Sequence, residues 1–282
     1  MEKRVRKPLV PFTISRALVH AFLILLSFAA IAPILIIWMT SLKTNAEVYI
    51  DPLALPRYWK FQNFAEAWNQ AHLGNYVLSS VKVTIPTIGL VLVCASLAGY
   101  AFAMLKFRGN AIIFPLFLLG LMVPNISVAI PLYYTVVDIG LHNTHIGLIL
   151  AEVSQALPLA IFLSRAAFLD LPKELRDAAL IDGASEFEIF IRVMLPLARS
   201  AFMSVTVLVF LQVWNSYLLP LLLINTDRLQ TMPLGLSFLQ GRYSTDMVLL
   251  TAATTLISLP TILIYVLLQR QFIEGIVEGA IK

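Results

Sequence analysis

The chain is 282 residues long, 59% hydrophobic and only 13% charged, with a mean hydropathy of +0.85. A soluble domain carries about 25% charged residues, so a water-soluble globular fold is excluded and a multi-pass membrane protein is indicated. The net charge of +4 is not read as a nucleic-acid surface, because basic residues in such a chain report orientation; the single cysteine, Cys94, excludes a disulfide within the chain.

Residues 1–16 are a basic N-terminal segment with Lys3, Arg4, Arg6 and Lys7. The apolar run at 17–39 is too long for a signal-peptide core, and Pro33 directly follows the small-x-small site Ala30-Ile31-Ala32. It reads as an uncleaved anchor. At roughly 20 apolar residues per crossing, five further runs are long enough to span: 83–105, 111–137, 147–168, 201–223 and 248–268. Pro124 and Pro131 predict a kink in the third span. The connections 44–76 and 225–247 are longer and rich in aromatics, among them Tyr49, Tyr58, Trp59 and Tyr76. Such residues are ordinarily interface anchors; a docking surface for an external protein is the alternative. The expected fold class is all-α, with six transmembrane helices over 17–268, a polar loop at 172–196 and a tail at 269–282.

Charge sets the expected orientation. With the N-terminus in the cytoplasm, only Lys43, Arg57, Lys60, Lys82, Arg228 and Arg242 of the twenty Lys and Arg residues fall outside. The excess inside predicts that both termini and the 172–196 loop are cytoplasmic.

That loop is the most ordered polar segment in the sequence. Pro172 suits the first turn of a helix, and Glu174 follows it. Leu175, Ala178, Ala179 and Asp182 repeat at helical spacing, and the two alanines predict a shallow face that a partner can approach. Gly183 stands where a helix ends in the left-handed conformation. Ser185 with Glu188 forms a capping box for a second helix, whose predicted apolar stripe is Phe187, Phe190, Ile191, Met194 and Leu195, closed by Pro196. A plain amphipathic loop on the membrane surface is the bland reading.

Asp177-Ala178-Ala179, Asp182-Gly183-Ala184 and Pro196 resemble the EAA loop of permease subunits from binding-protein-dependent ABC importers. Asp177 departs from the Glu of that pattern and keeps its charge. The run from Trp214-Asn215 to Pro220-Leu221, the segment Gly140 to Thr144, Thr231-Met232-Pro233 and the ending from Gln269 to Lys282 are similar to the carbohydrate, maltose-type permeases, and to the shorter six-helix partner among them. The resemblance implies a second homologous permease chain, two ATP-binding subunits that hold ATP and Mg, and an extracytoplasmic binding protein that delivers a sugar. It also implies that 172–196 transmits the motion of the motor subunits. The tail, with Gly275 and Gly279, is expected to reach the same motor, its glycines letting the backbone thread a narrow gap.

Polar residues inside spans are costly and carry a functional hypothesis by default. Asn125, Glu152, Gln155, Trp214, Asn215 and Tyr217 are the candidate translocation path, with Glu152 and Gln155 expected on one helix face. Interhelical hydrogen bonding is the competing role. Sequence offers no catalytic residues, no cofactor of the chain's own and no phosphate-binding Gly-rich loop. His142 and His145 lack a third ligand, so no metal is expected. The reading is a non-catalytic permease subunit of a prokaryotic cytoplasmic membrane, importing a di- or oligosaccharide by alternating access. A glycerol phosphate or polyol importer, and an ion-coupled secondary transporter using Glu152, are the alternatives.

Overall fold

The computed structural model describes residues 14–70, 72–242 and 246–280, and every regular element among them is helical. In chain order they are α1 (Ile14–Ser41), α2 (Asn45–Ile50), α3 (Gln62–Gln70), α4 (Leu73–Met104), α5 (Asn110–Met122), α6 (Asn125–Asp138), α7 (His145–Leu169) and α8 (Lys173–Ile181). Then come α9 (Glu186–Ile189), a π-turn (Phe190–Met194), α10 (Leu195–Leu197), α11 (Arg199–Trp214), α12 (Leu218–Leu223), α13 (Met232–Arg242) and α14 (Met247–Ala280). Four helices are long and apolar enough to cross a membrane, or up to six if each of two bent pairs is one span.

The bundle is built on α4 and α7. A Cβ added to Gly99 would lie 2.6 Å from the Ser164 Cβ and 2.9 Å from the Arg165 nitrogen, so only glycine allows the two helices to cross this closely, as is usual where membrane helices pack by contact rather than by expelling water. Val83, Val91 and Ala95 of α4 meet Leu148, Ala151, Ala156 and Ala160 of α7 in the core, and α11 adds Val205, Val209 and Val213. By contrast α1, which packs on α14, leaves Leu18, Phe22, Ile24 and Phe28 exposed all round. A helix apolar on every side is made for hydrocarbon or another apolar helix.

Several span boundaries differ from the sequence expectation. The second span begins at Leu73 rather than at 83, because Leu73 and Tyr76 are buried with Ala67, Met232 and Ala252 in a separate cluster at the end away from 172–196. The third is no mere kink: α5 and α6 meet at 106°. The segment expected at 201–223 is interrupted. Helix α11 stops at Trp214, and α12 begins only at Leu218. Pro220 gives the reason, since a proline inside a helix clashes with the carbonyl four residues back and offers it no donor; Asn215 reinforces the stop by turning its Nδ2 onto the Leu211 carbonyl at 2.8 Å. The backbone of α14 stays helical through Ala280, across the segment read as a tail. Side chains from 268 onward lie outside the described residues, as does residues 1–13 entirely, so the expected motor contact of Gly275 and Gly279 goes with them.

The loop between α6 and α7 ties the far end together. Asn143, at φ 57, accepts from the Asn225 and Thr226 nitrogens, each at 3.0 Å. Thr144 then caps α7 by accepting from the Gly147 nitrogen.

Candidate functional site

The 172–196 segment folds as helix, turn and helix. Glu174 lies in the first turn of α8, where a carboxylate meets the positive end of the helix dipole. The helix closes with two reversed hydrogen bonds, Ala184 nitrogen to Ala179 oxygen at 3.0 Å and Gly183 nitrogen to Leu180 oxygen at 3.1 Å. This pair is the glycine-terminated end that sequence predicts, and Gly183 adopts φ +85 to make it. Across the turn the Ser185 and Glu188 capping box is complete. Hydrogen bonds from the Ser185 backbone and hydroxyl, with the Arg192 charge, hold the Glu188 carboxyl below its ordinary value.

The second helix departs from the predicted stripe. Ile189, Phe190 and Met194 are buried, whereas Phe187 and Ile191 are exposed. The π-turn at Phe190–Met194 inserts a wider turn that keeps Phe190 and Met194 against Tyr100, Met104 and Phe168. Phe187 and Ile191, four apart, share the opposite face. In α8 the two alanines also divide. Ala178 is exposed, but Ala179 packs with Ala184 against the same cluster. The open surface is therefore Glu174, Asp177, Ala178, Ile181, Asp182, Gly183 and Phe187, with Ile181 87% exposed.

A polar clamp that sequence reasoning missed fixes this surface to the bundle. Arg176 of α8 pairs with Glu186 of α9, and the Tyr100 hydroxyl of α4 donates to the same carboxylate at 2.8 Å. Burial raises the Glu186 carboxyl, but the hydrogen bonds from Arg176 and Tyr100 and the Arg176 charge outweigh it and leave it below its ordinary value. The opposite charges of Arg176 and Glu186 were legible, yet nothing in the sequence pointed to Tyr100, which is 86 residues away from Glu186.

The candidate path residues fall into two groups. Asn125, at the start of α6, and Gln155 of α7 line one cavity of about 360 Å³ beneath the α5–α6 bend, with Thr135, Ser154 and Pro158. Glu152 is not on that face. It is only 2% exposed, in contact with the Ser216 hydroxyl at the α11–α12 break, and its Oε1 has no hydrogen-bond partner. One-helix spacing of three residues still leaves about 60° between two side chains, enough here to send Glu152 and Gln155 apart. Trp214 is buried and stacked on Phe210 at 5.4 Å, so its ring offers no platform. Asn215 and Tyr217, on the break itself, are exposed. Among the described residues no group of three or more His, Cys, Asp or Glu side chains suits a metal ion; the His145 ring instead contacts the Leu229 carbonyl at 3.1 Å.

Residues 91–277 match the family model described as the inner membrane component of binding-protein-dependent transport systems. The diacetylchitobiose uptake system permease protein NgcG of Streptomyces coelicolor is 36% identical, aligned over 94% of this chain and 89% of that protein. The arabinooligosaccharides transport system permease protein AraQ of Bacillus subtilis is 32% identical over 96% of this chain and 97% of its own. Among solved structures, a chain from a bacterial ABC transporter involved in import of the acidic polysaccharide alginate superposes with a TM-score of 0.81 at 21% identity, covering 93% of this chain and 100% of that one. The matched region contains α7, the clamped 172–196 segment and the interrupted α11–α12 helix, and on this footing the chain belongs to the family of inner membrane components of binding-protein-dependent transport systems.

Proposed function

We propose that this chain is a permease subunit of an ATP-driven importer that carries a di- or oligosaccharide across the inner membrane. The observation that carries the reading is the family match together with relatives whose names are those of oligosaccharide uptake permeases. Neither a glycerol phosphate or polyol importer nor an ion-coupled secondary transporter is favoured by those relatives. As a multi-pass inner membrane protein of this family, the chain works with other ABC components. Its specific partners are a second homologous permease, two ATP-binding subunits that bind ATP and Mg, and an external binding protein.

In this proposal the chain performs no catalysis and holds no cofactor. Both termini and the 172–196 segment face the cytoplasm. Ile181 and Phe187 seat in an apolar cleft of the motor, while Glu174, Asp177 and Asp182 meet its polar rim. The C-terminal residues, with Gly275 and Gly279, add a second contact. The Tyr100, Arg176 and Glu186 clamp supports this mechanism physically. A surface that hands motion to a bundle must not slide on it, and a three-way polar contact beside a buried aromatic cluster resists sliding. Closure of the motor pair then rocks the bundle, and the pathway alternates between its two openings.

The test uses the assembled transporter with the double variant Ile181→Asp, Phe187→Asp. Both side chains are exposed, so the fold is expected to survive. The ATP-binding subunit is expected to copurify poorly, and ATPase stimulation by the sugar-loaded binding protein is expected to fall at least about tenfold, the effect of losing central apolar anchors. Copurification and stimulation at the level of the unaltered assembly would overturn the coupling role.

A further inference from the structure

A cavity of about 830 Å³ opens beside α8, between it and the connection from α4 to α5. Lys106, Arg108, Arg165, Lys173 and Arg176 line it, against one acid, Asp177. Arg176 is answered by Glu186 and by Asp177 at 3.4 Å. Lys106, Arg108 and Lys173 enter no ion pair among the described residues. The Arg165 guanidinium rests over the Phe114 ring at 4.2 Å and gives its Nε to the Phe102 carbonyl at 3.3 Å. Helix α5 starts on the same cleft at Gly109 with no side-chain cap, so the positive end of its dipole adds to the field. Positive charge concentrated in a concave site draws an anion strongly, and this chain supplies too little negative charge of its own.

The neighbouring surface narrows the kind of anion. Phe107, just before α5, and Ile112, Ile113 and Leu116, in its first turns, are all exposed, Ile112 by 68%. An anion site thus adjoins a wall suited to hydrocarbon, the arrangement that an amphiphile with a charged head and apolar chains fits. The position on α8 separates this cleft from the surface assigned to the motor. Lys173 and Arg176 stand on the cleft side, with Asp177 at the border of the two surfaces, whereas Glu174, Ala178 and Ile181 follow one another along the motor-facing side. We propose that the cleft binds the phosphate headgroup of an anionic phospholipid, with its acyl chains lying along α5. The bound lipid would bridge the α4–α5 connection to α8 by countering charges on both. This assignment needs the chain to lie in a membrane and does not depend on the sugar or the motor.

The experiment titrates the delipidated full chain in detergent with dioleoyl phosphatidylglycerol or dioleoyl phosphatidylcholine and reads retained lipid by native mass spectrometry. Phosphatidylglycerol is expected to be retained at the lower concentration. The variant Lys106→Gln, Arg108→Gln, Lys173→Gln is expected to lose retention by about fivefold for each charge removed, the factor one basic residue contributes near an anionic lipid surface. A charge-keeping variant, Lys106→Arg, Lys173→Arg, is expected to retain the lipid, as is Arg192→Gln, which alters a cation outside the cleft. Circular dichroism verifies helix content in each, and misfolding of the triple variant leaves the single substitutions, each expected to show its own fivefold step. Equal retention of the two lipids, or unchanged phosphatidylglycerol retention without the cleft charges, would overturn the proposal. Displacement of the lipid by equimolar inorganic phosphate would assign the cleft to a soluble anion and overturn it too. Loss of the lipid on assembly with the ATP-binding subunit would give the cleft to that protein, with the same consequence.

Discussion

Gly183 shows how much a single position decides. Space is open where its Cβ would stand, so packing does not require glycine; φ +85 does. Gly183→Ala is expected to cost about 1–2 kcal/mol, the penalty of an L-residue in the left-handed region. Gly183→Pro is expected to do more. It forces φ near −65° and deletes the N–H that bonds Leu180. Limited proteolysis of 172–196 reads both variants: cleavage should accelerate modestly for Ala and strongly for Pro, and equal resistance in all three chains would mean the turn does not set the segment. Glu186 makes the second residue-scale prediction. Its carboxyl is held below the ordinary value of 4.5 despite burial, by Arg176 and Tyr100. A depressed carboxylate contributes stability that is fully present above the unfolded value and lost as pH falls through the folded one. Hydrogen exchange across 184–190, taken relative to the intrinsic rate at each pH, is therefore expected to quicken on acidification below the ordinary carboxylate range in the unaltered chain. In Glu186→Gln it should already be fast at neutral pH and lack that step.

Among elements, the α4–α7 crossing is the most sensitive. Gly99→Ala sets a Cβ against the Ser164 Cβ at 2.6 Å and against the Arg165 nitrogen at 2.9 Å. Overpacking of this kind costs about 1–3 kcal/mol. A lower Tm of the detergent-solubilised chain is the expected reading. Ser164→Gly in the same chain removes the side-chain clash but not the backbone ones, so recovery should be partial; full recovery would show that the backbones are free to part. The α11–α12 break belongs to the same scale. The helix ends there, with the Trp214 indole buried and the Asn215 amide exposed.

The whole molecule poses the question of sidedness. The sequence reading assigns the larger share of the twenty Lys and Arg residues to the side of 172–196, and so predicts that this side is cytoplasmic. With Cys94 replaced by Ala, single cysteines at Asp182→Cys and Arg228→Cys test this in intact cells. An impermeant maleimide is expected to label position 228 and spare 182. The reverse pattern would invert the orientation and separate the 172–196 segment from cytoplasmic ATP.

Composition and local chemistry alone determined that this is a helical membrane protein, where most of its long apolar helices lie, and that 172–196 is two helices around a left-handed glycine. Those features depend on residues near one another in the chain: a long apolar run, a proline, a cap three residues from its partner. The tertiary structure decided what depends on distant residues meeting. It brought Tyr100 onto Glu186, across 86 positions, and turned Ala179 inward while leaving Ala178 exposed. It sent Glu152 toward Ser216 and Gln155 into a cavity with Asn125. It also gathered basic residues from the α4–α5 connection, α7 and α8 into one cleft. A hydrophobic pattern carries only the period of its own helix; which neighbour each face meets is set by how the helices cross, and at Gly99 that crossing is close because no side chain stands between the backbones.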